Sequence, residues 1–311
     1  MTDSNARFSA RTALTYFFTT LEKHPGLIWL GVIEVVLYTI GQNTIAGLTM
    51  SSQPSSIAGM PSWLVPSNIL PYIVASGVFY FAVLVFVEAA WHRTLVRDEQ
   101  ATLMPLRLSG DEANMFRYLA LLFGAVLLFN LVFIAAAYGL FTAMGPTAIA
   151  AYVPVWLVAI PICGAVAARL LPLSGLIIAQ REFRLVRQLK STARVFWGCV
   201  RGLIGLFLVS IGTAIILGAL AAPILMRAMQ LQMSASNGGV PASLDGWSIY
   251  AVLVDQPVTL ALFILVQIVV IAINFILYGM GRGVAAYAAL YIEGRPPAPS
   301  MPMEGEENEV A

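Results

Sequence analysis

The chain has 311 residues and a formal net charge of +1, and it is 59% hydrophobic and only 11% charged, with a mean hydropathy of +0.83. Soluble domains carry about a quarter charged residues, so this composition sets the soluble classes aside and predicts an integral membrane protein. The two cysteines, Cys163 and Cys199, fall in an apolar run and near a basic segment, so no disulfide framework is expected.

Crossing a hydrocarbon core of about 30 Å takes about 20 apolar residues. Six stretches supply them, near residues 26–47, 69–90, 118–140, 152–179, 200–224 and 258–280. The expected fold is all-α, a polytopic six-helix transmembrane bundle with cytoplasmic amphipathic surface helices. Residues 1–295 form the membrane domain. The loops leave no room for a separate soluble domain.

Ahead of the first span, Ala10, Ala13, Leu14, Phe17, Phe18 and Leu21 share one arc of a helix over 7–23, and Arg11, Thr12, Thr15, Thr19 and Glu22 share the other. This pattern predicts an interfacial amphipathic helix. His24, Pro25 and Gly26 then redirect the chain, proline being suited to a helix start because it has no N–H to leave unpaired. The apolar run begins late and is long, so span one is expected to be a retained anchor, not a cleaved signal.

Charged groups inside hydrocarbon are costly and point to function. Glu34 lies within span one, and Arg169 lies in the long fourth segment. Two placements of Arg169 are open: an intramembrane pair with Glu34, or a bend at Pro172 that lets it snorkel to the surface. Glu88, near the end of span two, is expected to pair with Arg93 or Arg201, and His92 and Arg93 follow it at the interface. Asn130, Gln267 and Asn274 lie within spans three and six, where amides bridge helices at about 1 kcal/mol.

Ser109 and Glu112 have the spacing of a capping box at the start of the third span, with Asp111 and Glu112 favoured by the positive helix end. After the fourth span, Phe183, Val186, Leu189, Ala193 and Phe196 alternate at helical spacing with Arg181, Arg184, Arg187, Lys190 and Arg194. A second surface helix over 181–197 is expected, its five cations contacting lipid headgroups at roughly 1 kcal/mol each. Gly198 and Gly202, and the run Gly279, Gly281 and Gly283, read as places of close helix approach. The 51–68 and 230–248 stretches read as irregular loops, and 296–311, with Glu304, Glu306, Glu307 and Glu309, as a disordered acidic tail.

Of the seventeen Lys and Arg residues, only Arg227 falls on the side opposite the rest in this topology. Positive-inside charge therefore predicts a plasma membrane of the bacterial inner-membrane type, crossed in multiple passes, with both termini cytoplasmic. The expected partners are the bilayer, with anionic lipid on the cytoplasmic face, and a membrane protein or a second copy of the chain. Nucleic acid is not expected.

No nucleophile elbow, phosphate-binding loop, His-x-x-x-His pair or cysteine cluster is present, so neither metal nor cofactor is expected. The leading functional expectation is a non-catalytic membrane scaffold or lipid- and envelope-organising protein. A secondary transporter or channel for a small solute or lipid is the alternative, with Glu34 as a proton-coupled carboxylate. A lipid-acting enzyme comes third, because Glu88 and His92 stand four apart on one helix face.

Three landmarks occur in order: the helix ending at Pro25, then Val87-Glu88-Ala89-Ala90-Trp91-His92-Arg93, then Arg169-Leu170-Leu171-Pro172 running on to Trp197. The pattern resembles poorly characterised bacterial six-span inner-membrane proteins related to the membrane domain found on some glycerophosphoryl diester phosphodiesterases. The resemblance covers most of the chain. It implies a membrane bundle, and with no appended phosphodiesterase domain it carries no catalytic activity over.

Overall fold

A computed structural model describes residues 8–50, 66–100, 109–144, 148–235, 254 and 256–295. All the regular structure among them is helical, so the all-α class is as the apolar runs require. Helix α1 (Ala10–Lys23) starts on Ser9, whose Oγ accepts the Thr12 N–H at 3.2 Å, and α2 (Gly26–Met50) leaves it at a bend of 104°. There follow α3 (Pro66–Arg97), α4 (Gly110–Met144), α5 (Ala148–Gln180), the short α6 (Leu185–Ser191) with a 3₁₀ turn (Thr192–Val195), α7 (Phe196–Ala235) and α8 (Pro257–Ile292). Five helices are long and apolar enough to cross a membrane, and the bent pair α1–α2 makes up to six. The chain is a multi-pass membrane protein. Of the expected irregular loops over 51–68 and 230–248, residues 66–68 and 230–235 are helical, and the remainder lies, with the acidic tail, outside the described residues.

Each helix outruns its expected span, α3, α4 and α8 mainly at the end that carries the charges and α2, α5 and α7 mainly at the other. The Ser109–Glu112 box is formed: the Ser109 N–H donates to Glu112 Oε2 at 3.0 Å and the Asp111 N–H to Ser109 Oγ at 3.3 Å. One of the open placements, a bend at Pro172, is not found, and one expectation needs correction. Helix α5 runs unbroken through Pro172. The 181–197 segment is not one helix, because the chain leaves α5 through a turn at Arg181, whose φ is +55°, and restarts at Leu185. The restart changes which faces are covered: Gln188, Thr192 and Val195 are buried, whereas Val186 and Ala193 are exposed.

Two units make up the chain. The first takes in the described residues of Met1–Leu37, Phe79–Gly205 and Gly279–Ala311. Its main core joins Val85 and Ala89 of α3, Met115, Tyr118 and Leu119 of α4, Leu173, Leu176, Ile177 and Ile178 of α5, and Ala289 of α8. From Arg282 to Leu290 every residue of α8 is buried, so this stretch is surrounded by protein on all sides. Phe17 of α1 lies fully buried against Gly279 and Gly283, and a Cβ added at Gly283 would come within 3.0 Å of the Phe17 Cβ. At Gly279 an added Cβ would run into the ring itself, and at Gly283 it would press on the Phe17 backbone. Close approach is thus the role of these glycines, and the apolar arc of α1 is used to pack on protein through Ala13 and Phe17.

The second unit takes in the described residues of Tyr38–Val78 and Leu206–Tyr278. Among them Phe263 is the one buried apolar side chain. A groove of about 450 Å³ runs between α7 and α8 here, with Ser210, Thr213, Asn274 and Tyr278 as its polar lining.

Candidate functional site

The first unit holds a cluster of charge contributed by three helices. Glu34 lies eight residues into α2, Glu88 nine residues before the end of α3, and Arg282 ten residues before the end of α8. At 1.5 Å per residue these are depths of about 12, 13 and 15 Å from the three helix ends. The match in depth brings them together. Arg282 Nη1 and Nη2 donate to Glu34 Oε2 and Oε1 at 2.9 and 2.8 Å, the fork geometry that a planar guanidinium offers a carboxylate. Its Nε and Nη2 also donate to Glu88 Oε1, at 2.8 and 2.7 Å. The face of the guanidinium lies 4.8 Å from the centre of the Trp91 ring, a cation–π contact, and Trp91 Nε1 donates to Glu34 Oε2 at 3.3 Å.

Every nitrogen of Arg282 is therefore occupied, and its side chain is 8% exposed against 14% for Glu34 and 17% for Glu88. One turn further along α3, His92 is buried, with Nε2 3.6 Å from Glu88 Oε2. That is an electrostatic neighbour and too long for a hydrogen bond. Two further ion pairs sit beyond it: the buried Arg93 with Glu112, and the partly buried Arg97 with Asp111. His24 Nε2 meets Asp98 Oδ1 at 2.6 Å at the bend between α1 and α2.

The structure changes the expected partners. Glu34 pairs with Arg282, not Arg169; Arg169 is half-buried with its guanidinium 6.0 Å from the Phe196 ring centre. Glu88 also takes Arg282, whereas Arg93 is engaged by Glu112 and Arg201 is exposed. Asn130 turns back on its own helix, donating to the Val126 carbonyl at 2.8 Å, so it bridges nothing. Gln267 and Asn274 both lie exposed on α8. Of the five expected headgroup cations, Arg187, Lys190 and Arg194 line one pocket, while Arg184 pairs with Glu182 and the Arg181 carbonyl accepts from Asn114 Nδ2 at 3.1 Å.

Arg282 was legible only as one more positive charge near a helix end. A sharper signal stands beside it. It is flanked by Gly279, Gly281 and Gly283 and then by Ala285, Ala286, Ala288 and Ala289, a run whose small side chains admit close neighbours. A charge inside such a run is held by protein, not by lipid. Among the described residues no group of three or more His, Cys, Asp or Glu side chains could hold a metal ion. No family model, no curated protein and no solved structure matches this chain.

Proposed function

We propose that the chain is a non-catalytic protein of a bacterial inner membrane, with both termini in the cytoplasm, that acts as a framework and organises lipid at the inner leaflet. The observation that carries this reading is the saturation of Arg282. A transport carboxylate must exchange its partner for a proton or a solute during each cycle. Here both carboxylates are spent on one guanidinium that an indole also covers, which makes the cluster a three-helix crosslink. Breaking such a buried arrangement by removing one member leaves an uncompensated charge.

The surface fits the same role. Trp29 and Trp197 are 60% and 70% exposed near the ends of their helices, where indoles favour the boundary between headgroups and hydrocarbon. Arg187, Lys190 and Arg194 are exposed on the same unit, and seventeen cations placed almost all on one side orient it toward the cytoplasm. The test is proton flux in proteoliposomes carrying the purified chain and an internal pH dye. No flux above empty vesicles is expected under an imposed gradient; a flux that Glu34→Gln abolishes would replace the framework with a transporter.

A further inference from the structure

The three cations of α6 and the 3₁₀ turn after it do not form a flat strip. They stand around a pocket of about 370 Å³ whose floor is built from amides. Gln188 is 1% exposed, and its Nε2 donates to Gln180 Oε1 at 3.0 Å and to the Glu182 carbonyl at 2.9 Å. Its Oε1 accepts the Arg184 N–H at 3.2 Å. Gln180 Nε2 in turn donates to Glu293 Oε1 at 2.6 Å, which ties the floor to the turn that follows α8. Each of these amide groups is committed inside the protein, so the floor is fixed and the ligand-facing charge comes from the rim.

On that rim Arg187, Lys190 and Arg194 are exposed, and none has a carboxylate within ion-pair distance among the described residues. By contrast, Arg93, Arg97, Arg184 and Arg282 of the same unit all have acid partners. Three cations against the single carboxylate of Glu293 leave an excess of two positive charges around one concavity. Guanidinium forks and an ammonium are the donor set that suits a phosphate group, and the excess matches the charge of a phosphomonoester near neutral pH.

We propose that this pocket binds a phosphomonoester group, with Arg187 and Arg194 as its forked donors and Lys190 as the third cation. This deepens the lipid-organising reading by giving the inner-leaflet contact a defined chemistry. The group can come from a lipid headgroup or from soluble phosphate, and the two sources separate experimentally.

The full-length chain is placed in nanodiscs of phosphatidylcholine alone, or with a tenth of phosphatidic acid or of phosphatidylglycerol, and retained lipid is read by native mass spectrometry. The phosphatidylcholine discs are also titrated with inorganic phosphate while thermal unfolding is followed. Preferential retention of phosphatidic acid, lost about tenfold in Arg187→Gln and in Arg194→Gln as expected for one charged hydrogen-bonding group each, establishes the lipid source. Stabilisation by inorganic phosphate alone, removed by the same variants, establishes the soluble source. Arg181→Gln combined with Arg184→Gln removes the same kind of charge outside the pocket and should stay within about twofold. Equal losses in that control, equal retention of phosphatidylglycerol, or no retention and no phosphate effect each overturn the site. The proton-flux result does not enter, so this site and the framework reading can fail separately.

Discussion

The two units of the molecule are built from helices of similar apolarity and pack in opposite ways. In the first, Trp91, Phe17, Leu27 and Leu30 are fully enclosed and charged groups are buried in pairs; in the second, Phe263 is the one enclosed apolar side chain among the described residues. Hydrophobicity cannot explain the difference, because lipid tails solvate Leu as well as another helix does. What separates them is small residues and matched polar groups. Gly279 and Gly283 admit Phe17, and Gly198 lies against the Phe8 ring, whereas Gly77, Gly212 and Gly218 face open space, as do Gly124 and Gly164 at exposed positions of the first unit. Within a bilayer, apolar residues place a helix; glycine, alanine and paired charge decide what it touches.

The largest expected way to break this contrast is Arg282→Leu. It strands Glu34 and Glu88 without a counter-charge and should cost about 3–5 kcal/mol in unfolding experiments in detergent. Adding Glu34→Gln and Glu88→Gln to that variant should recover most of the loss. A matching change in the second unit, Gln267→Leu, should stay within about 0.5 kcal/mol. If Arg282→Leu were equally silent, the cluster would hold nothing together.

Next comes Phe17→Ala. Emptying a fully buried ring site between two glycines should cost about 3–5 kcal/mol, and proteolysis of α1 should quicken accordingly. A smaller effect sharpens the glycine comparison. Gly279→Ala, with the Phe17 ring in the way, should destabilise by about 1–3 kcal/mol, while Gly212→Ala should be neutral or stabilising by up to about 1 kcal/mol because alanine is the better helix former. Equal outcomes at the two glycines would remove the packing argument. The smallest is Ser109→Ala, which deletes the hydroxyl of the capping box at the start of α4 and should cost about 1 kcal/mol, seen as faster amide exchange at Asp111 and Glu112.

Much of the fold could be read from the chain. The six apolar runs each carry a helix, Pro25 marks the bend, and Ser109 with Glu112 forms the box that its spacing announces. These features are local: hydropathy, a ring without an N–H, and a three-residue spacing are complete within a short window. Partner choice is not. Glu34 sits 248 residues from Arg282, and whether it meets Arg282 or Arg169 depends on which helices are neighbours and how each is rotated. Lipid-facing positions are apolar on every side and carry no record of rotation, so depth alone pointed to Arg169 and passed over Arg282. The segment after α5 was misread for a related reason. A helical period continues in the residues from Arg181 to Trp197, but Gln188 is satisfied by Gln180 and by the Glu182 carbonyl only if the chain first turns.

The bond between Arg282 and Glu88 also orders events on the ribosome. The guanidinium is made 194 residues after the carboxylate, and Glu34 earlier still. At about 5–20 residues per second, Glu88 waits roughly 10–40 s for its counter-ion. During that interval two acidic side chains enter the insertion machinery with no cation of their own. Both go without the Arg282 guanidinium until α8 arrives. The same helix brings the glycines that receive Phe17, completing a seat for α1 that Trp91 and the Leu95 carbonyl of α3 begin. Maturation of this unit therefore includes a closing step, in which α8 neutralises the paired carboxylates and completes the seat of α1.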